Sequence, residues 1–348
     1  MTWTRFDKSN QDIYARVFDP HGNAITAEIL VNTYTKSIQQ MSSVVAFSDG
    51  GFVIAYQSMG NPGGESYDLY FRRFDSSYNK VGDETRANTE IKGAQMVTGS
   101  VNFNQNGNCL NYRGQFMIVL PDNKFAISWN GGESGSSIFA QVFDSSGNPI
   151  GGELTVSTST GTHVTPSMTA LSNGGFVITW ISTTTNQIKG RLYNAEGTPF
   201  GEELSVSAEN TAYASPTVAS FPATNKYLPG GFAITWSGPS SAFGSDIFIQ
   251  LFDSVGTPIN IAAGTGGDEI LVGTPAKDIL LGGDGNDILE GKAGADILNG
   301  GLGVDTASYF TSTAGVNVNL ATGATSGGDA EGDQLLSVEN LIGSAFAD

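Results

Sequence analysis

The chain is poor in cysteine, histidine and basic residues, and it has no long apolar run. Cys109 is the only cysteine in 348 residues, which excludes an intrachain disulfide and a multi-cysteine zinc centre. Histidine is limited to His21 and His163, in the contexts Pro20-His21-Gly22 and Thr162-His163-Val164. Neither is followed by a glutamate and a second histidine, so a zinc-protease helix of the H-E-x-x-H kind is excluded. No G-x-S-x-G nucleophile elbow occurs. Sixteen lysines and arginines against 34 acids leave a net charge of -18. Without a basic stripe to release phosphate counterions, nucleic acid is no partner. No apolar run reaches membrane-spanning length, so no transmembrane segment is expected, and the N-terminus lacks the charged and apolar regions of a signal peptide. Helical periodicity is nearly absent. The carboxylate doublets Asp83-Glu84 and Glu202-Glu203 do not replace a catalytic pair, because neighbours on a strand face opposite sides. They read as solvated strand ends, and the chain is expected not to be an enzyme.

What the chain does have is glycine, 46 residues of it, and between Gly264 and Ser308 it is counted out in nines: GTGGDEILV, GTPAKDILL, GGDGNDILE, GKAGADILN, GGLGVDTAS. Every unit opens on glycine and carries an acid at its sixth place: Glu269, Asp278, Asp287, Asp296 and Asp305. Glycine reaches positive φ without steric cost, so such turns can converge backbone carbonyls on one point. The acid adds the hard, charged oxygen that calcium prefers, which makes Ca2+ the expected cofactor. Places seven to nine are apolar enough for a short strand. A disordered linker would have no reason to set Leu271, Leu280, Leu289 and Leu298 nine residues apart. An EF-hand fails: after Asp284 and Asn286 the next ligand place is Ile288.

These units resemble the RTX family of hemolysin-type calcium-binding nonapeptide repeats, with the pattern G-G-x-G-x-D-x-U-x. Gly282-Gly283-Asp284-Gly285-Asn286-Asp287 and Gly300-Gly301-Leu302-Gly303-Val304-Asp305 fit throughout. The unit at Gly264 departs with Glu269. That at Gly291 keeps Gly294 and Asp296 but has Lys292 for its second glycine, and that at Gly273 has Pro275 and Ala276. The resemblance implies a parallel β-roll with two nonapeptides per turn, each ion held between units two apart. Glu269, Asp287 and Asp305 then share one edge, Asp278 and Asp296 the other, for about three sites at most, with the Asp287 and Asp305 pair best formed. It also implies carbonyl ligands from Gly282, Asp284, Gly300, Gly301 and Gly303, with Gly283, Gly285, Gly291 and Gly294 in the same metal-binding turns. Type I export to an extracellular location is implied too, which fits the missing signal peptide. Beyond Gly264 thirteen carboxylates face only Lys277 and Lys292, a self-repulsion that bound calcium would offset.

The first 260 or so residues repeat more loosely. Asp49-Gly50-Gly51-Phe52-Val53-Ile54-Ala55-Tyr56 recurs as Asn173-Gly174-Gly175-Phe176-Val177-Ile178-Thr179-Trp180 and Pro229-Gly230-Gly231-Phe232-Ala233-Ile234-Thr235-Trp236, with a weaker copy from Asp122 to Trp129. A second piece ends in Phe18-Asp19, Phe74-Asp75, Phe143-Asp144, Tyr193-Asn194 and Phe252-Asp253. Its acid is expected to cap its own turn. Each unit reads as two hairpins. The fold class is therefore all-β: antiparallel four-stranded repeats, β-propeller-like with about five blades, followed by a parallel β-roll. A tandem of immunoglobulin-like sandwiches is the alternative. Expected domains are residues 1–262 for the propeller-like part, 263–308 for the roll, and 309–348 for a spacer with the start of a further nonapeptide.

Calcium binding by an extracellular protein whose roll folds after export, with a structural or adhesive propeller module, is the function these features suggest. Two alternatives stay open. Trp3, Tyr56, Trp129, Trp180 and Trp236 recur at one register and could line a groove for a surface glycan or other cell-surface component, as in a lectin, or pack as core. The loops Ser58 to Tyr67, Gln105 to Arg113 and Ser237 to Ser245 would then carry specificity. The chain, which reads as cut at both ends, could also be a non-catalytic fragment of a larger secreted enzyme or toxin.

Overall fold

Glycine-bearing turns and short β-rich runs fold the first part of the chain into successive antiparallel meanders. The computed structural model describes residues 1–7, 10–60, 67–89, 95–96, 115–132, 137–208, 216–239 and 245–348. They divide into two units, residues 1–220 with 233–249, and residues 221–232 with 250–348. Cys109 and the loop from Gln105 to Arg113 lie outside the described residues, as do 61–66 and 240–244 of the other two loops.

In the first unit β1 (Thr2–Asp7), β2 (Asn10–Ala15) and β3 (Ile29–Leu30) form a three-stranded sheet. Three four-stranded sheets follow in chain order. They are β4 (Gln39–Ala46), β5 (Phe52–Met59), β6 (Tyr67–Phe74) and β7 (Lys80–Arg86); β8 (Met117–Val119), β9 (Phe125–Gly131), β10 (Ser137–Phe143) and β11 (Pro149–Thr155); and β12 (His163–Ala170), β13 (Phe176–Ser182), β14 (Gln187–Tyr193) and β15 (Pro199–Ser205). The unit also holds β16 (Thr217–Ser220) and parts of β17 (Phe232–Pro239) and β18 (Ser245–Phe252). The first strands β4, β8, β12 and β16 run beside one another in that order. Apolar cores lie between consecutive sheets: Ile13, Ile54 and Tyr56; then Val53, Phe71, Phe125 and Trp129; then Ile138, Met168, Ile178 and Trp180. Strands β9 and β13 are therefore buried at every position, and their side chains of both parities are covered. That is the propeller-like arrangement, in which a blade packs on both faces.

The recurrent acid does cap its turn. Asp75 Oδ1 accepts the N–H groups of Ser77 and Asn79 at 2.9 and 2.8 Å, and Asp19, Asp144, Asn194 and Asp253 accept the equivalent pair. The second glycine of the other turn is needed for space. A Cβ at Gly51 would lie 2.9 Å from the Phe74 carbonyl, and at Gly175 it would strike the carbonyl of Tyr193.

In the second unit β19 (Pro258–Ala263) begins a parallel sheet, pairing with β21 (Asp278–Asp284), then β23 (Ile297–Leu302), then β27 (Gln334–Leu336). A second parallel sheet joins β20 (Ile270–Val272), β22 (Ile288–Glu290), β24 (Thr306–Ser308) and β28 (Asn340–Ile342). The pairs Leu280↔Leu298 and Leu271↔Leu289 set a register of two nonapeptides per turn. Between the sheets Leu280, Leu289, Leu298 and Ala307 form a buried ladder. On the outer side of the first sheet Ile259, Ile279 and Ile297 are covered by Leu228 and Tyr227. After Tyr309 the chain leaves the roll for a hairpin of β25 (Asn317–Asn319) and β26 (Ala324–Ser326), then returns to add β27 and β28 as one more rung on each sheet. No α-helix occurs among the described residues, and none of their helices is long and apolar enough to cross a membrane.

Candidate calcium site

The nonapeptide turns place the sixth-place acids in two rows, one along each edge of the roll. Each carboxylate reaches across one full turn. Asp287 Oδ1 accepts the N–H of Glu269 at 2.9 Å, Asp305 Oδ1 that of Asp287 at 2.8 Å, and Asp296 Oδ1 that of Asp278 at 2.8 Å. Glu269, Asp287 and Asp305 thus share one edge and Asp278 and Asp296 the other. Asp287, Asp296 and Asp305 are each 0% exposed. Their second oxygens, Asp287 Oδ2, Asp296 Oδ2 and Asp305 Oδ2, have no hydrogen-bond partner, nor has Glu269 Oε2. Asp278 differs, since its Oδ2 accepts the Thr274 N–H at 2.6 Å.

Those oxygens point over the first glycine of their own unit. A Cβ at Gly282 would strike both Asp287 Oδ2 and the carbonyl of Gly300 in the next turn. At Gly264 it would strike the Gly282 carbonyl and lie 2.6 Å from Glu269 Oε2, and at Gly273 it would lie 2.6 Å from both Asp278 Oδ2 and the Gly291 carbonyl. Carboxylate and carbonyl oxygens from consecutive turns therefore converge where only glycine leaves room. Among the described residues no cluster of three or more acids, histidines or cysteines forms, so carbonyls must supply most of any coordination shell. That donor set, all hard oxygens, fits calcium, which takes six to eight of them. When bound, calcium would supply the positive charge that buried, unpaired carboxylate oxygens require.

Turn geometry separates the units. Gly283 and Gly285, Gly294, and Gly301 and Gly303 all have positive φ, from 105° to 140°. Lys292 takes the place of a second glycine at φ 69°, a strained conformation for a non-glycine residue. The units at Gly264 and Gly273 show no positive φ, so their turns differ from the other three. Gly283 and Gly301 stand in register, and Asp284 points its side chain outward. Burial, joined by the charges of Asp333 and Asp278, pushes Asp296 up to about 8. Glu269 is held below the ordinary range by the Thr265 hydroxyl.

Two acids of the rows escaped the sequence reading. Asp333 Oδ1 accepts the N–H of Asp296, and Glu339 Oε2 that of Asp305, both at 2.9 Å. They lie outside the count of nines, but Asp333-Gln334-Leu335-Leu336 repeats the acid, x, leucine signature of Asp278-Ile279-Leu280-Leu281. Burial pushes Asp333 up to about 6.

Elsewhere the candidates resolve as structure. Tyr56, Trp129 and Trp180 are fully buried and Trp236 nearly so; these four are core and offer no stacking face. His163 is buried with Nε2 2.9 Å from the Ser159 carbonyl. Of the acid doublets, Asp83 and Glu202 are exposed as solvated strand ends, whereas Glu84 and Glu203 are clamps. Glu203 Oε1 accepts from the Thr158 hydroxyl at 2.8 Å, Glu84 Oε2 from the Thr33 N–H at 2.5 Å, and Glu84 lies 3.7 Å from Arg72.

A family model for the RTX calcium-binding nonapeptide repeat matches residues 263–298 and 272–307. Those residues are RTX repeats, and RTX repeats bind calcium; the match says nothing of residues 1–262. No match was found among curated proteins. Similar solved structures include a Hadza microbial sialidase, 10% identical over 72% of this chain and 52% of that one, TM-score 0.47. The Penicillium chrysogenum α-L-arabinanase is 16% identical over 73% and 74%, TM-score 0.45. A β-1,3-galactosidase of the GH43 group is 12% identical over 73% and 91%, TM-score 0.38. The expectation that the chain is not an enzyme is corrected by this finding, because glycoside hydrolases stand among the structures of similar architecture. At such identities and scores no activity, substrate or residue role passes from them to this chain.

Proposed function

We propose that this is an extracellular calcium-binding protein whose roll orders as calcium loads the two acid rows, and whose propeller-like unit is a structural or adhesive module exported with it by a type I route. The observation that carries the reading is the set of buried carboxylate oxygens without partners at Glu269, Asp287, Asp296 and Asp305. Each is aimed at the first glycine of its own unit, and over Gly264, Gly282 and Gly300 a carbonyl of the next turn converges with it. In calcium-poor cytosol the crowded carboxylates repel and glycine entropy opposes order, which favours an unfolded, exportable roll. Extracellular calcium modules bind at about 10⁻⁴ to 10⁻³ M, so loading would begin on exit. Residues 1–262, 263–308 and 309–348 are the divisions we assign to these roles. The ligand set we assign is Glu269, Asp278, Asp287, Asp296 and Asp305 with carbonyls of the glycine turns.

The test is a calorimetric calcium titration of the full chain with far-ultraviolet circular dichroism in parallel. Uptake near millimolar calcium with a gain of β signal, both lost in the Asp287→Asn, Asp305→Asn double variant, is expected. Absence of uptake, or uptake unchanged in the variant, overturns the reading.

A further inference from the structure

The row that begins at Glu269 does not stop at the last nonapeptide. Asp305 Oδ2 belongs to a fully buried side chain and has no partner. A Cβ at Gly300 would strike that oxygen and the carbonyl of Ser337. This is the same pair, one carboxylate oxygen and one carbonyl from the next turn, that meets over Gly282. Ser337 is bent to φ 50°, as Lys292 is in its own turn. Glu339 then takes the N–H of Asp305 as Asp305 takes that of Asp287. Residues 332–339 contain no nonapeptide and lie outside the family match, yet they rebuild the oxygen arrangement of one.

The other row ends differently. The three atoms nearest a Cβ at Gly291 all belong to Asp296, with no carbonyl of the next turn among them. The second oxygen of Asp333 accepts the Tyr309 hydroxyl at 2.9 Å. A phenol stands where a further cation contact would be, and both oxygens of Asp333 are satisfied within the chain.

We propose that the segment 332–339 completes an additional divalent-cation site with the last nonapeptide, built from Asp305, the Ser337 carbonyl and Glu339, while Tyr309 closes the opposite row. The inference rests on the calcium reading of the rows above. The site uses a glutamate, as the first repeat does at Glu269 and the other repeats do not, and Glu339 is exposed, so it is the most accessible position of its row.

Calcium titration of the full chain by calorimetry separates the possibilities, with wild type compared to Glu339→Gln, Glu331→Gln and Asp287→Asn. Glutamine still accepts the Asp305 N–H but brings no charge. Glu339→Gln is expected to weaken one ion by about tenfold or more, and Glu339→Asp to restore it. Glu331→Gln removes a charge immediately before that segment, outside the site, and is expected to titrate as wild type. Equal titration of Glu339→Gln and wild type, with ions lost in Asp287→Asn, overturns this site and leaves the calcium reading standing. Equal weakening by Glu331→Gln and Glu339→Gln reduces the effect to general charge and also overturns it. A wild-type chain that takes up no calcium overturns both.

Discussion

The two units differ in how many buried acids they leave open. In the first, the buried side-chain oxygens of Asn32, Asn88, Ser157 and Ser207 each accept a backbone N–H, from Ile13, Leu69, Ile138 and Ile188 in turn. The cores between its sheets are hydrocarbon and aromatic, with Phe71, Phe125 and Phe143 in mutual ring contact. Asp68 is the one buried acid with an unpartnered oxygen among the described residues of that unit. In the second unit a thin leucine ladder lies between two rows of acids, and four of those acids leave an oxygen unpaired. The other groups the first unit leaves open, such as the Tyr56 hydroxyl and the Trp180 indole N–H, are hydroxyl, ring or guanidinium groups that call for no cation. A row of buried carboxylate oxygens left open is instead a place for a cation to complete.

The sharpest way to break that contrast is to damage each core and read the other. Trp3, Trp129, Trp180 and Trp236 all belong to the first unit, so tryptophan fluorescence follows its unfolding. Trp180→Ala removes a fully buried indole and is expected to lower denaturant stability by about 3–5 kcal/mol. The midpoint of calcium uptake should stay where it is. Leu289→Ala, in the roll ladder, should cost about 2–5 kcal/mol there and move the calcium midpoint upward, because ions that bind only the folded roll must then supply more of its stability. A calcium midpoint displaced by Trp180→Ala would show that the two units do not act separately.

The nonapeptide unit was legible because its chemistry fixes single positions: glycine where φ is positive or a carbonyl approaches, an acid at the sixth place, leucine on the ladder. Lys292 shows the limit, since it adopts the glycine conformation without being glycine. Asp333 and Glu339 were hidden because the excursion from Tyr309 to Gly332 interrupts the count, although the acid returns to the same place in space. In the first unit the turn acids and the aromatic register could be read locally. The clamps could not, because Glu84, Glu153 and Glu203 meet Thr33, Thr89 and Thr158 in the loops that follow β3, β7 and β11, 51, 64 and 45 residues away. Nothing near a doublet such as Asp83-Glu84 tells a clamp from a solvated strand end.

Acidity gives a second, smaller handle. In calcium-free protein, burial raises Asp296 to about 8 and Asp333 to about 6, above the roughly 3.9 of an unfolded aspartate. A carboxyl raised on folding contributes stability that is full below its unfolded pKa and is lost as pH rises through the folded values. The calcium-free roll is therefore expected to melt lower as pH climbs from about 4 to about 8. With saturating calcium the slope should reverse, since the ligands must be ionised. Thermal melts in chelator and in calcium across that range check both signs, and parallel slopes would mean that the ions do not engage this row.

The smallest effect concerns the place where one row stops needing an ion. Tyr309 is buried, and its hydroxyl donates to Asp333 Oδ2. Burial and the Asp333 charge hold the phenol far above its ordinary range, so it is a donor at neutral pH. Tyr309→Phe keeps the ring and removes only that donor, leaving a buried carboxylate oxygen open as at Asp287. The loss should be about 1–3 kcal/mol in chelator. In calcium it should shrink, because the open oxygen at Asp333 becomes equivalent to those the ions already serve. Urea unfolding of wild type and Tyr309→Phe, with and without calcium, measures the difference. An equal loss in both conditions would mean that the tyrosine only packs the end of the roll and does not stand in for a cation.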